Sequence, residues 1–145
     1  MKTRRLVTFF ALWMLVALCS AHAADEAIVL ETPTGKLAGS LLMPARSGRM
    51  PVALIIAGSG PTDRDGNSAL QKEPNDSLKM LAQMLADAGY ASVRYDKRGI
   101  GASTAAMRSE ADLRFDTYID DAAAWIDKLA RDPRFSSVVV IGHSE

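Results

Sequence analysis

Short apolar strands alternate with amphipathic helices along most of this chain. Residues 52–57, Val-Ala-Leu-Ile-Ile-Ala, are apolar at every position, which is typical of a strand covered on both faces. The predicted elements are strands at 27–31, 36–43, 52–57, 90–95 and 137–141, and helices at 76–88 and 116–131. Strands joined by single helices are connected by right-handed crossovers. The pattern therefore predicts an α/β fold with a mainly parallel, doubly wound sheet.

Local signals define several element boundaries. The turn at residues 32–35, Thr-Pro-Thr-Gly, predicts that the first two strands form an antiparallel hairpin. Asp76 or Ser77 is expected to cap the first helix, and Gly89 to end it. The apolar positions of each helix lie at helical spacing, which predicts one buried face for each. These faces are Leu78, Leu81, Ala82 and Leu85 in the first helix, and Ile119, Ala122, Ala123, Ile126 and Leu129 in the second.

The last predicted strand runs into Gly142-His143-Ser144-Glu145. These residues match the first four positions of the pattern Gly-x-Ser-x-Gly. In that pattern a sharp turn between a strand and a helix exposes the serine hydroxyl above the sheet, and the tight turn requires small flanking residues. A Gly-x-Ser triplet alone is common by chance. Its meaning here depends on the strand before it and on two further loops.

Two glycine-rich loops also follow predicted strands. Residues 58–61, Gly-Ser-Gly-Pro, follow the strand at 52–57, and residues 95–103, Tyr-Asp-Lys-Arg-Gly-Ile-Gly-Ala-Ser, follow the strand at 90–95. Open α/β sheets build their sites at the carboxyl ends of their strands. Glycines let a backbone N–H approach a substrate carbonyl, where it can stabilise an oxyanion. The sequence therefore predicts one site made of three loops.

Together the three loops resemble the α/β-hydrolase superfamily, and they are most similar to its exported bacterial serine aminopeptidase-like and esterase-like branch. The resemblance covers the chain from residue 24 to its end and implies the N-terminal part of a hydrolase domain, residues 24–145, with no cofactor and no metal. It makes Ser144 the nucleophile and the Glu145 N–H one oxyanion donor. Ser59 N–H would be the other donor, with Gly60 as the alternative. Members of the superfamily often begin the oxyanion loop with His-Gly, where this chain has Ala57-Gly58.

The implied reaction is hydrolysis of a carboxylic ester or an amide of a small molecule through an acyl-serine. In this superfamily the acid and the histidine of the triad follow the serine in sequence, so both are expected beyond Glu145. Residues 24–145 alone would then lack activity. The alternatives are an aminopeptidase-type hydrolase of the same fold, a non-catalytic fragment or pseudo-hydrolase, and a nucleotide-dependent oxidoreductase. The oxidoreductase is disfavoured because Thr104 replaces the third glycine of the dinucleotide fingerprint.

Residues 1–23 have the pattern of a cleavable signal peptide. A basic start precedes an uncharged apolar run at 6–18, and Ala21-His22-Ala23 has small residues at the cleavage positions. Cleavage after Ala23 would remove the only cysteine and three basic residues, lowering the net charge from 0 to −3. We expect a periplasmic or secreted protein with no stable membrane anchor after cleavage. The chain has no basic stripe, so the sequence does not indicate a nucleic-acid partner. It also does not indicate an oligomeric state.

Other chemically active residues receive structural interpretations. His143 neighbours the nucleophile, but its position in the turn is expected to direct it away from the serine hydroxyl. Asp96 and Arg98 are expected to form an ion pair that braces their own turn. Residues 63–67, Asp-Arg-Asp-Gly-Asn, have their glycine too early for a calcium loop, and Pro74 stands where the bidentate glutamate should be.

Overall fold

The structure, a computed structural model, describes residues 24–144. The predicted signal peptide and Glu145 lie outside the described residues. The elements are β1 (Glu26–Thr32), β2 (Gly35–Leu42), β3 (Met50–Ile56), α1 (Ser77–Asp87), β4 (Ala91–Tyr95), α2 (Phe115–Arg131) and β5 (Phe135–Gly142), with 3-10 turns at Gly101–Ala106 and Glu110–Asp112. Within this part of the chain, neither helix has the length and hydropathy needed to cross a membrane.

The five strands form one sheet in the order β1-β2-β4-β3-β5. The central strand β3 runs parallel to β4 and β5, as the helical connections predict. The β1–β2 hairpin is confirmed, and β2 joins the sheet antiparallel to β4. The fold class is therefore α/β with a mixed sheet, in which the helix-linked strands supply the parallel part.

The two helices cover opposite faces of the sheet. Successive residues of a strand point to opposite faces, and β3 contributes to two separate cores. Val52 and Leu54 belong to the core that contains Trp125 of α2, whereas Ile55 belongs to the core that contains Ala82 of α1. Both faces of β3 are thus buried, which explains its continuous apolar sequence.

Residues of the preceding loop, rather than the Asp76 side chain, satisfy the first N–H groups of α1; the Asn75 Oδ1 accepts from the Ser77 N–H at 3.0 Å. Asp76 adopts a left-handed conformation, with φ 49°, and its side chain makes no capping hydrogen bond. Its carboxylate instead accepts from Asn67 Nδ2 at 2.7 Å. Asp76 therefore occupies the predicted N-cap position but does not make the expected capping hydrogen bond. The Asp65 carbonyl accepts from the Leu78 N–H at 3.0 Å and satisfies part of the first turn. Gly89 ends the helix as predicted, with φ +85° and its N–H donating to the Ala86 carbonyl.

The buried face of α2 agrees with the predicted one only in part. Its buried residues are Asp121, Trp125 and Leu129, of which Leu129 was predicted. The predicted Ile126 packs partly buried against the same core, whereas Ile119 is 51% exposed. The spacing of four residues is helical, but the face includes a carboxylate that a search for apolar residues passes over. Asp121 is buried because a buried arginine binds it, as described below.

Candidate active site

The chain turns sharply after β5, at the predicted nucleophile. The His143 N–H donates to the Ile56 carbonyl at 3.1 Å, which extends the parallel pairing of β3 and β5 by one residue. Ser144 follows with φ 55°. The left-handed region is uncommon for residues other than glycine, and residues held there cluster at functional sites. A strained serine directly after a strand matches the turn that exposes a nucleophile.

The loop after β3 lies against this turn. A Cβ added to Gly58 would lie 2.7 Å from the His143 carbonyl oxygen and 3.5 Å from the Ser144 Cβ. The Ser59 N–H donates to the Ser144 carbonyl at 3.2 Å. The structure therefore brings Ser59, which the sequence predicts as an oxyanion donor, next to Ser144. Gly60 turns the loop onward with φ +79°, and its carbonyl accepts from the Thr62 N–H at 2.8 Å.

Asp96, the first charged residue after β4, fastens the loop after β3. Its carboxylate accepts from the Arg64 backbone N–H and from Arg64 Nη2, each at 2.8 Å. It also accepts from the Ala102 N–H at 2.9 Å. A Cβ at Gly101 would lie 2.4 Å from Asp96 Oδ2, so only glycine lets the chain fold this closely around the carboxylate. Asp96 thus ties two loops of the predicted site together.

Arg98 binds α2 rather than Asp96. Its guanidinium forms a bidentate pair with the Asp121 carboxylate, with both distances 2.6 Å and both side chains buried. It also donates to the Ala106 carbonyl at 3.1 Å and to the Thr34 hydroxyl in the β1–β2 turn. The predicted Asp96–Arg98 ion pair is wrong, because each side chain finds a partner far away in sequence.

Lys97, between these two residues, is the site residue that sequence reasoning missed. It is only 4% exposed, and its Nζ donates to the Gly58 carbonyl at 2.7 Å. The same Nζ lies 5.5 Å from the centroid of the Tyr118 ring, within range of a cation–π contact. The available signal was the run of three charged residues, Asp96 to Arg98, directly after a buried strand. Charged residues at such a position are almost never fully buried unless they are paired, so each of them calls for a partner.

The two loops leave a groove between them at this edge of the sheet. Its volume is about 380 Å³, and its walls include Pro61 and Asn67 from one loop and Ile100 from the other. Within residues 24–144, no three His, Cys, Asp or Glu side chains cluster in a way that could hold a metal ion. In residues 63–67, which depart from the calcium-loop pattern, the Asp63 carboxylate accepts from the backbone N–H groups of Asp65 and Asn67.

Comparison with known proteins identifies the family. The family described as "Serine aminopeptidase, S33" matches residues 73–145, about half of the chain. The chain belongs to this family. It is also 30% identical to Esterase EstD of Thermotoga maritima over 112 residues, which cover 74% of this chain and 24% of that protein. The resemblance that the three loops predicted is thereby confirmed for the hydrolase superfamily.

Solved structures of the superfamily share the fold. The α/β hydrolase GrgF from Penicillium sp. sh18 has a TM-score of 0.63 at 22% identity, over 82% of this chain and 37% of that one. XC6422 from Xanthomonas campestris, described as an α/β serine hydrolase without a lid, has a TM-score of 0.58 at 21% identity, over 83% of this chain and 50% of that one. The chain spans half or less of the length of each of these proteins and 24% of the curated relative.

Proposed function

We propose that this chain is the N-terminal part of a serine hydrolase that cleaves carboxylic esters of small molecules through an acyl-serine intermediate. The observation that carries the proposal is the left-handed Ser144, which lies directly after β5 and beside the Ser59 N–H. Family membership and the similarity to an esterase support the same reaction class. The acid and the histidine of the triad would lie beyond Glu145.

In the proposed reaction, the Ser144 hydroxyl attacks the ester carbonyl carbon while the histidine takes its proton. The carbonyl oxygen becomes an oxyanion, which would accept hydrogen bonds from the Ser59 and Glu145 N–H groups. The alcohol then leaves with the proton from the histidine, and water releases the acid from Ser144 in a second addition. At 3.2 Å, the hydrogen bond from the Ser59 N–H to the Ser144 carbonyl is at the upper end of the ordinary range. We propose that the N–H exchanges this bond for the oxyanion. Gly60 N–H remains the alternative donor.

An amide or peptide substrate is the second candidate, because the matching family is described as a serine aminopeptidase. The two candidates share the nucleophile and differ in leaving group. Parallel assays with p-nitrophenyl acyl esters and aminoacyl p-nitroanilides would separate them. We expect the esters to be hydrolysed with the higher kcat/KM.

The test of the nucleophile uses the protein translated from the full reading frame. We expect it to hydrolyse short p-nitrophenyl esters and to be labelled at Ser144 by a fluorophosphonate, with peptide mass spectrometry locating the label. Ser144→Ala should abolish both reactions. His143→Ala is the matched control in the neighbouring residue and should keep most of the activity. A folded protein without turnover or labelling would favour a pseudo-hydrolase, and equal damage from both substitutions would assign the base to His143.

We also propose that the protein is exported and cleaved after Ala23. The folded domain supports this boundary, because the Asp25 carboxylate already binds Arg94 Nη2 at 2.8 Å. Mass spectrometry of the protein from a bacterial periplasm should find Ala24 at the amino terminus. Retention of residues 1–23 in the membrane fraction would indicate an anchored protein instead.

A further inference from the structure

We infer that Lys97 is a positioning residue for the oxyanion hole, which it serves by holding the Gly58 carbonyl so that the Ser59 N–H faces the nucleophile. The inference rests on the proposed serine hydrolase function. In this role the buried lysine orients the peptide group between Gly58 and Ser59 and does not contact the substrate itself.

The contacts of Lys97 place its amino group under the loop after β3. The side chain is 4% exposed, and its Nζ donates to the Gly58 carbonyl at 2.7 Å. Burying a lysine is costly unless its amino group is paired. A hydrogen bond from a charged donor is about twice as strong as one between neutral groups. The Gly58 carbonyl is therefore strongly held.

The geometry of the peptide bond transmits this restraint to Ser59. The peptide unit is planar and trans, so the carbonyl of one residue and the N–H of the next point in opposite directions. Fixing the Gly58 carbonyl towards Lys97 therefore turns the Ser59 N–H away from it. That N–H points to Ser144, where it donates to the backbone carbonyl at 3.2 Å.

Gly58 makes an external restraint necessary. The His143 carbonyl is too close to admit a side chain at this position without displacement, and a glycine has no Cβ to limit its own backbone rotation. The peptide that carries the predicted oxyanion donor would be free to turn without a second anchor. Lys97 supplies that anchor from the neighbouring loop.

The test compares Lys97→Met with the wild-type full-length protein. Methionine keeps an unbranched side chain but cannot donate to the Gly58 carbonyl. Loss of an oxyanion donor costs about 10²- to 10³-fold in kcat, and a donor that is only misdirected should cost less. We expect kcat to fall roughly 10- to 100-fold with KM unchanged within twofold. Inhibition by a trifluoromethyl ketone should weaken by a similar factor, because its adduct with serine also carries an oxyanion.

The matched control is Arg98→Lys, in the next residue. It weakens a buried bidentate pair that points to α2, so it should lower the melting temperature while leaving kcat and the inhibitor affinity unchanged. If Lys97→Met fails to fold, Lys97→Arg provides a second test. Arginine keeps the positive charge but places its donor groups at a different distance from the backbone, so kcat should still fall at constant KM. An active wild type whose folded Lys97 variants keep kcat and inhibitor affinity within twofold would overturn this inference alone. A wild type that neither hydrolyses esters nor labels at Ser144 would overturn the proposed function, and the inference with it.

Discussion

Replacing Gly58 by alanine should push the loop after β3 away from the turn that carries Ser144. The added Cβ would lie 2.7 Å from the His143 carbonyl oxygen and 3.1 Å from its Nδ1, whereas ordinary contacts begin at 3.4 Å. The gap must therefore open by about 0.7 Å. The nearest obstacle is a backbone atom that cannot rotate away, so the loop and the turn that carries Ser144 must move apart.

The size of this displacement sets the expected loss. A misplacement of about 1 Å can cost 10²-fold in rate, so we expect kcat/KM of the proposed full-length hydrolase for p-nitrophenyl esters to fall roughly 10- to 100-fold. That range corresponds to about 1.4–2.7 kcal/mol of transition-state stabilisation. Overpacking should also lower the free energy of unfolding by about 1–3 kcal/mol, which thermal unfolding would measure.

Gly48→Ala is the control for a general effect of replacing glycine. Gly48 has φ +86° and no atom within 4 Å of an added Cβ, so its substitution strains the backbone without a collision. It should lower stability by about 1–2 kcal/mol and leave kcat/KM unchanged. If Gly58→Ala kept both kcat/KM and the melting temperature of the wild type, the close approach of the two loops would be refuted.

Three further predictions concern stability. In the full-length protein, Arg98→Met should destabilise by about 3–5 kcal/mol because it leaves a buried carboxylate unpaired. Adding Asp121→Leu should restore much of that loss in urea unfolding, and strictly additive effects would contradict the pairing. Hydrogen bonding from Arg134 holds the pKa of Asp132 below its ordinary value of 3.8. A lowered pKa stabilises the folded state above the unfolded pKa, so this contribution is present above about pH 4 and is lost as the pH falls through the lowered value. Because Arg134 is 41% exposed, Asp132→Asn should cost at most about 0.5–1 kcal/mol at pH 7, and a difference that persisted at pH 2 would exclude the ion pair as its cause. Residues 24–145 expressed alone should be insoluble or molten, because β5 forms a sheet edge with two half-exposed valines; a monomeric sedimentation profile with a sharp unfolding transition would show otherwise.

Local sequence patterns predicted the elements and the three loops well. The continuous apolar run at 52–57 marks a strand buried on both faces, and Gly89 marks the end of α1, because each signal depends on neighbouring residues alone. The serine turn was equally local. These features needed no knowledge of the sheet order.

Long-range partners could not be predicted in this way. Asp96 binds Arg64, which is 32 residues earlier, and Arg98 binds Asp121, which is 23 residues later. The sequence offered a nearer pairing between Asp96 and Arg98, and nothing local argued against it. The same limitation left Asp121 out of the predicted face of α2 and hid the burial of Lys97, because burial of a charged residue depends on a partner that only the folded chain supplies.

The strand order also determines which parts of the sheet can assemble first. The β1–β2 hairpin closes across a two-residue turn and can form as soon as it leaves the ribosome. The central strand β3 must wait, because its two neighbours, β4 and β5, are synthesised later. The turn that carries Ser144 therefore forms only after β5 has joined the sheet. A chain that is stopped or slowed before β5 would keep β3 open along one edge, and we expect chaperone binding to be strongest during that interval.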